Sequence, residues 1–317
     1  MPDLSALERV MVAMADHVFN RSLRWLARRR VWVQAAFLLV WLNPLARLHH
    51  ICGPVFHCYS CPLALFACPI GVLANFSALH IWPFAAIGTL VAIGAIVGNA
   101  VCGWMCPFGL LQDLIARLPV PKFQLPSWMG YARYGVLVGL VIGVPYIWGE
   151  AHALFFCKVC PVGALEGALP FTVATAHQGG GWIWPSMTKM VVLGATLVGM
   201  LFVRRFWCSL LCPLGAIFGL FNRASVVTLR FRSDSCRVCG HCEKMCPYGV
   251  LPTANVNTGR CIRCLECTRC GALVVDSVFR SRSAAEEQIQ GPQPLLIARA
   301  CQTCSESCTT CHDSTSN

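Results

Sequence analysis

The sequence predicts an α-helical membrane protein with four transmembrane helices in two pseudo-repeats, followed by a small C-terminal α+β domain. Three observations predict it. Of 317 residues, 56% are hydrophobic and only 12% charged, whereas a soluble domain usually carries roughly 25% charged residues. Four stretches stay apolar over about the 20 residues that a helix needs to cross a bilayer. A Cys-Pro-x-Gly tetrapeptide recurs four times across the same region. This composition excludes a disordered chain and an ordinary soluble enzyme.

Residues 1–30 form an N-terminal segment. Within it, Leu4–Leu26 reads as an amphipathic helix, with Leu4, Leu7, Val10, Met11, Met14, Val18 and Leu26 near one face. It lies either in the inner membrane interface or against a cytoplasmic domain. Residues 31–223 form the membrane domain, with spans over Val31–Leu48, Trp82–Val101, Tyr131–Trp148 and Met187–Val203. Asn43-Pro44 interrupts the first span. The preceding Arg28-Arg29-Arg30 would suit a signal peptide, but no small-residue cleavage site follows.

Basic residues set the orientation. Arg9, Arg21, Arg24, Arg28, Arg29 and Arg30 precede the first span, Arg204 and Arg205 follow the last, and the loops between carry few. Both termini are therefore expected in the cytoplasm, with the Cys58 and Cys157 loops outside. The chain is expected as a multi-pass protein of a bacterial inner membrane, in contact with lipid. The same asymmetry accounts for the formal net charge of +11 without a nucleic-acid partner.

The tetrapeptides are Cys68-Pro-Ile-Gly, Cys106-Pro-Phe-Gly, Cys160-Pro-Val-Gly and Cys212-Pro-Leu-Gly. Proline suits the first turn of a helix, where its missing N–H would be unpaired anyway. Each motif should then set a cysteine at a helix N-terminus, where backbone N–H groups favour negative charge. Their order is outer, inner, outer, inner, which reads as a parallel duplication. On the inner face Cys102-x3-Cys106 and Cys208-x3-Cys212 supply two cysteines each. Together they make the four-thiolate set of a [4Fe-4S] cluster, and a four-cysteine zinc site needs the same set. On the outer face Cys157 and Cys160 meet Cys58, Cys61 and Cys68, five candidates for four positions. There disulfides compete with a cluster. Cys52 stays unassigned. A lone membrane cysteine is ordinarily a small packing residue, but matched pairs at fixed offsets from Pro and Gly are not.

Hydrophobicity drops past Phe221, and residues 224–280 form a soluble module. Cys236-x2-Cys239-x2-Cys242-x3-Cys246-Pro matches the bacterial ferredoxin run, and Cys261-x2-Cys264-x2-Cys267-x2-Cys270 follows it. The fourth cysteine of such a run ligates the neighbouring cluster. One cluster thus takes Cys236, Cys239, Cys242 and Cys270, and the other Cys246, Cys261, Cys264 and Cys267. The second run departs from the pattern at Cys270, where the last spacing is two and Gly271 replaces proline.

Residues 281–317 form a polar linker and a tail with Cys301, Cys304, Cys308 and Cys311. Cys308-Thr-Thr-Cys311-His312 fits c-type haem attachment, but the charge pattern puts the tail in the cytoplasm. Zinc or a further iron–sulfur cluster fits that side better. His49, His50, His57, His80, His152 and His177 fall on or near outer loops and do not face each other across spans. Gly179-Gly180-Gly181 lacks the lysine and strand context of a phosphate loop.

Cys102-Gly-Trp-Met-Cys106-Pro, Cys208-Ser-Leu-Leu-Cys212-Pro and the ferredoxin runs resemble the NapH/NosR/MauN-type membrane ferredoxins. The resemblance covers about residues 31–275. It implies several spans, a two-cluster cytoplasmic domain, and a membrane-proximal redox site made by Cys102, Cys106, Cys208 and Cys212. It also implies electron transfer between a quinol or cytoplasmic donor and periplasmic reductases, or support of their maturation. The outer cysteines and the tail depart from the family pattern. The resulting expectation is an electron carrier with redox protein partners rather than a stand-alone enzyme. Two other readings are a maturation or metal-reduction factor for a periplasmic metalloenzyme, and an iron or redox sensor.

Overall fold

A computed structural model describes residues 19–42, 68–123, 125–177, 186–232, 256–270 and 272–277, with 179, 184, 236, 242, 246, 248 and 250 as single residues. The linker, the tail, Cys52, Cys58, Cys61 and Cys239 lie outside them. The described part is mostly helical and carries one two-stranded sheet.

Of the four expected spans, only the third falls on a described helix long and apolar enough to cross a bilayer. Trp128–Trp148 is a continuous 21-residue apolar helix, about 31 Å long at 1.5 Å per residue. Its middle, Val136–Gly143, is wound as a π-helix. The helices at the second and fourth positions are shorter, Phe84–Val97 with 14 residues and Met187–Phe202 with 16. They reach only about 21 and 24 Å, short of a roughly 30 Å hydrocarbon core. At the first position, Arg30–Leu42 covers 13 residues and residues 43–48 lie outside the described part. By length and composition, one helix among the described residues can cross a bilayer.

The shortening has a local cause. Each of the two helices stops at a sharp bend and restarts as a short helix before its Cys-Pro. Phe84–Val97 ends at Gly98, whose φ is +56°, and restarts as Ala100–Trp104. A Cβ on Gly98 would sit 2.7 Å from Asn222 Oδ1 and 2.9 Å from Arg263 Nη1, so only glycine fits this bend. Met187–Phe202 restarts as Phe206–Leu210 through Arg205, which takes the same left-handed conformation at φ +51°. The helices Pro107–Ile115 and Pro213–Phe221 follow.

The two halves interlock. Phe221 of the second half lies against Gly94 of the first, where a Cβ would come within 2.6 Å of its ring. Val226 N–H donates to Ala95 O at 2.7 Å, and Phe123 N–H donates to Phe202 O at 2.8 Å. Each half thus ends against the long helix of the other. The shared core holds Phe108, Val141, Met200, Trp207, Leu214 and Phe218.

Strand β1 (Val227–Phe231) pairs antiparallel with β2 (Leu273–Ser277), from Val227 opposite Ser277 to Phe231 opposite Leu273. The cysteine runs lie in the connection between them. Residues 19–28 are helical. Ala27 is buried and Leu23 packs with Leu229 and Leu273, while Asn20 Oδ1 accepts a hydrogen bond from Val275 N–H at 3.0 Å. Of the two placements expected for the N-terminal amphipathic segment, its described end takes the packed one.

Candidate metal centre

Cys68, Cys106, Cys160 and Cys212 are each the residue that caps a helix N-terminus, with proline directly after. In three of them the glycine N–H donates back to the cysteine sulfur: Gly71 to Cys68 at 3.4 Å, Gly109 to Cys106 at 3.4 Å, Gly215 to Cys212 at 3.5 Å. The expected helix-terminal placement holds at all four motifs.

Cys102, Cys106, Cys208 and Cys212 line one pocket. Its other walls are Asn99, Phe108, Arg133 and Gly215 from the two halves, and Tyr248 and Ile262 from the ferredoxin segment. Burial raises these thiols. It pushes Cys102 up to about 12, with the neighbouring Cys208 adding to the rise and Arg205 and Arg133 opposing it. A metal-free chain therefore holds neutral thiols here, and binding a metal releases their protons.

Three polar atoms at the pocket wall have no hydrogen-bond partner: Asn99 Oδ1, Arg133 Nε and Tyr248 Oη. The two donors among them, Arg133 Nε–H and the Tyr248 hydroxyl, suit a group that brings its own acceptor atoms, such as the sulfides of an iron–sulfur cluster. Among the described residues no three Cys, His, Asp or Glu side chains converge closely enough to hold a single metal ion. A tetrahedral zinc would need sulfurs about 3.8 Å apart, from a Zn–S distance of about 2.3 Å. A four-iron cube takes four thiolates at a wider spread, and four cysteines are the donor set this pocket supplies.

The second ferredoxin run sits directly on this pocket. Cys246, Cys261, Cys264 and Cys267, the crossed set expected for one cluster, line a second pocket, and Tyr248 and Ile262 wall both. A Cβ on Gly103, next to Cys102, would fall 2.5 Å from Ile262 O. Trp104 Nε1–H donates to Arg263 O at 2.9 Å. Asn222 Nδ2 donates to Thr258 O at 2.8 Å and to Cys261 O at 2.6 Å. Arg263 donates to Val97 O at 3.1 Å and Asn222 O at 2.6 Å, setting a cation on the carbonyl end of Phe84–Val97. Of the other expected set, Cys242 is buried with Leu229, Val256 and Leu265, Cys236 is half-buried, and Cys270 ends the 3-10 turn Glu266–Cys270.

At the other two motifs Cys68, Cys157 and Cys160 come together. A Cβ on Gly71 would lie 3.6 Å from Cys157 Sγ and 3.8 Å from Cys68 Sγ. Burial raises the Cys160 thiol, and Cys68 and Cys157 are close enough to add to the rise.

Sequence reasoning missed the ion-pair cluster beside the inner thiols. Asp113 accepts from both Arg205 and Arg30, the latter at 2.7 Å. Arg205 Nη1 also donates to Cys102 O at 3.5 Å. Burial alone would raise the Asp113 carboxyl, but Arg205 and Arg30 outweigh it and hold the pKa below its usual value. Arg30 and Arg205, counted from sequence among the basic residues that set the orientation, are buried. The available signal was Asp113 itself, an acid inside the apolar segment after Cys106. A second missed contact is Gln112, whose Nε2 donates to Cys208 Sγ at 3.0 Å.

The 4Fe-4S binding domain family matches the chain twice, at residues 79–126 and 187–232. Each match contains one Cys-x3-Cys-Pro motif, and neither reaches the ferredoxin runs. An uncharacterized protein of Methanocaldococcus jannaschii is 28% identical over 63% of this chain and 81% of its own length. The putative electron transport protein YccM of Escherichia coli is 26% identical over 63% of this chain and 55% of its own. The methylamine utilization ferredoxin-type protein MauN of Methylobacillus flagellatus is 29% identical over 71% and 76%. Of YccM the chain thus spans about half the length, and of the regulatory protein NosR of Pseudomonas aeruginosa 29%. No solved structure matches the chain. With two 4Fe-4S binding matches centred on the paired cysteines, and with NapH, NosR, NirI and MauN similar to it at 26–30% identity, the chain is similar to the NapH/NosR/MauN-type ferredoxin proteins.

Proposed function

We propose that the chain is a membrane-bound iron–sulfur electron carrier, relaying electrons between a cytoplasmic or quinol donor and a periplasmic redox protein. In this reading Cys102, Cys106, Cys208 and Cys212 hold one [4Fe-4S] cluster. Cys246, Cys261, Cys264 and Cys267 hold a second, and Cys236, Cys239, Cys242 and Cys270 a third. Such clusters supply one-electron chemistry at potentials tuned by their surroundings. The protein's part is to bury the thiols, cap them with backbone N–H groups and fix the distance between sites.

One observation carries the reading: two four-cysteine pockets share Tyr248 and Ile262 as a common wall. A structural metal site needs no second site pressed against it, whereas electron transfer does. The four-span topology, with both termini cytoplasmic, belongs to the same proposal. Its support is the apolar surface: Val91, Ile96, Val138, Ile142, Val191 and Val198 are exposed on the three long helices, and faces of that kind call for a lipid or protein partner. Trp128 and Trp148 at the two ends of the longest helix are exposed as well, where interfacial aromatics sit. Cys68, Cys157 and Cys160, completed by Cys58 or Cys61, are the proposed outer site, on the path toward the periplasmic acceptor.

Anaerobic iron and sulfide counts test the assignment. About four iron atoms per cluster gives about twelve for the inner site and the two ferredoxin sites, and about sixteen with the outer site. Replacing Cys106 and Cys212 by serine should remove about four and one EPR signal. An unchanged count in that variant overturns the inner site.

A further inference from the structure

The inner thiol site receives hydrogen-bond donors unequally from the two halves. Gln112 is fully buried, and its Nε2 donates to Cys208 Sγ at 3.0 Å and to Phe108 O at 3.3 Å. The position equivalent to Gln112 in the second half, aligned on the cysteine pairs, is Phe218, which has nothing to donate. Tyr248 enters the same pocket from the ferredoxin segment, is 6% exposed, and its hydroxyl, beside the Arg205 guanidinium that can only donate to it, finds no acceptor of its own. A buried O–H without an acceptor is unfavourable, and an acceptor in the pocket would satisfy it.

We propose that Gln112 and Tyr248 are positioning residues of the inner site, donating hydrogen bonds to its sulfurs and raising the reduction potential of the cluster it holds. The inference rests on the inner-cluster reading above. Reduction adds negative charge to the sulfurs, and a donor N–H or O–H is worth more to the more electron-rich form. Removing a donor therefore disfavours reduction without touching a ligand. Tyr248 has a further consequence. It stands two residues after Cys246, so the docked ferredoxin segment itself contributes to the potential of the site it faces.

The test is an anaerobic redox titration followed by EPR, using the full chain and the signal that disappears in the Cys106→Ser, Cys212→Ser variant. Gln112→Leu and Tyr248→Phe should each keep their iron and lower the equilibrium constant for reduction about tenfold, which is about 59 mV for one electron. Should Gln112→Leu lose iron, Gln112→Met, closer in length and equally unable to donate, is titrated instead. Full iron with unchanged potentials overturns the proposal, as does loss of iron from both Gln112 variants, which would make the residue purely structural. If no signal depends on Cys106 and Cys212, the failure lies in the inner-cluster reading itself.

Discussion

The two halves of the molecule carry the same cysteine pair at a constant offset, yet the residues around each pair differ in kind. Arg205 in the second half takes the place of Asn99 in the first, three positions before the leading cysteine. Gly219 stands where the first half has Asp113, and Leu210 where it has Trp104. The differences are complementary. Asp113 of one half neutralises Arg205 of the other, and Gln112 of one reaches Cys208 of the other. Asn99 binds the ferredoxin segment through Cys261 O at 3.3 Å, while Gly219 leaves room for Gly259 O, 2.7 Å from where a Cβ would stand. A repeat supplies symmetric ligands, and divergence around them supplies the cross-links that hold the halves in register and the side on which the third element docks.

Breaking the charge complementarity should have the largest effect. Asp113→Ala leaves Arg205, whose side chain is 1% exposed, and Arg30, at 9%, without their shared carboxylate. Stranding a buried charge in this way costs about 3–5 kcal/mol. Denaturant unfolding of the purified chain in detergent should show that loss, and a change under about 1 kcal/mol would place the cross-link outside the stabilising contacts. The pH dependence has a definite sign. The folded carboxyl titrates below its usual value, so its stabilisation is complete above the unfolded pKa of about 3.9. It is lost as pH falls through the lower folded value. Asp113→Asn should flatten this acid limb of a melting-temperature profile, leaving the neutral-pH end lower than wild type.

Steric complementarity comes next. Gly103→Ala places a methyl group 2.5 Å from Ile262 O, and backbone on both sides must move. Overpacking of this kind costs about 1–3 kcal/mol. Limited proteolysis should show residues 256–270 cut faster, and an unchanged rate would show that the segment docks by other contacts.

The placement of the cysteines was legible in the sequence because spacing and helix capping are local. Pro after Cys dictates the first helical turn, and the ferredoxin crossing rule groups Cys246 with Cys261, Cys264 and Cys267, four residues that line one pocket. Span lengths were not legible. A hydropathy run passes unbroken from Trp82 to Val101, whereas the bend at Gly98 is fixed by Asn222 and Arg263, more than a hundred residues away. The burial of two arginines was hidden for the same reason. Arg30 and Arg205 look like loop charges until Asp113, 83 and 92 residues distant, is brought between them. Long-range pairing of this kind leaves no period and no motif.

The smallest effect tests which half carries the dock. Trp104 and Leu210 occupy equivalent places, but only the indole has a donor, and it reaches Arg263 O at 2.9 Å from a partly buried position. Trp104→Phe keeps an aromatic ring against Leu229 and Leu265 and removes the one hydrogen bond, worth about 1 kcal/mol. The cost should fall on the ferredoxin segment and spare the pairing of the two halves. Hydrogen exchange would register about a fivefold faster exchange of amides in residues 256–270, with those of Pro107–Ile115 and Pro213–Phe221 unchanged. Equal acceleration in all three segments would mean that the dock and the two halves open as one unit, and that the asymmetry between Trp104 and Leu210 has no separate consequence.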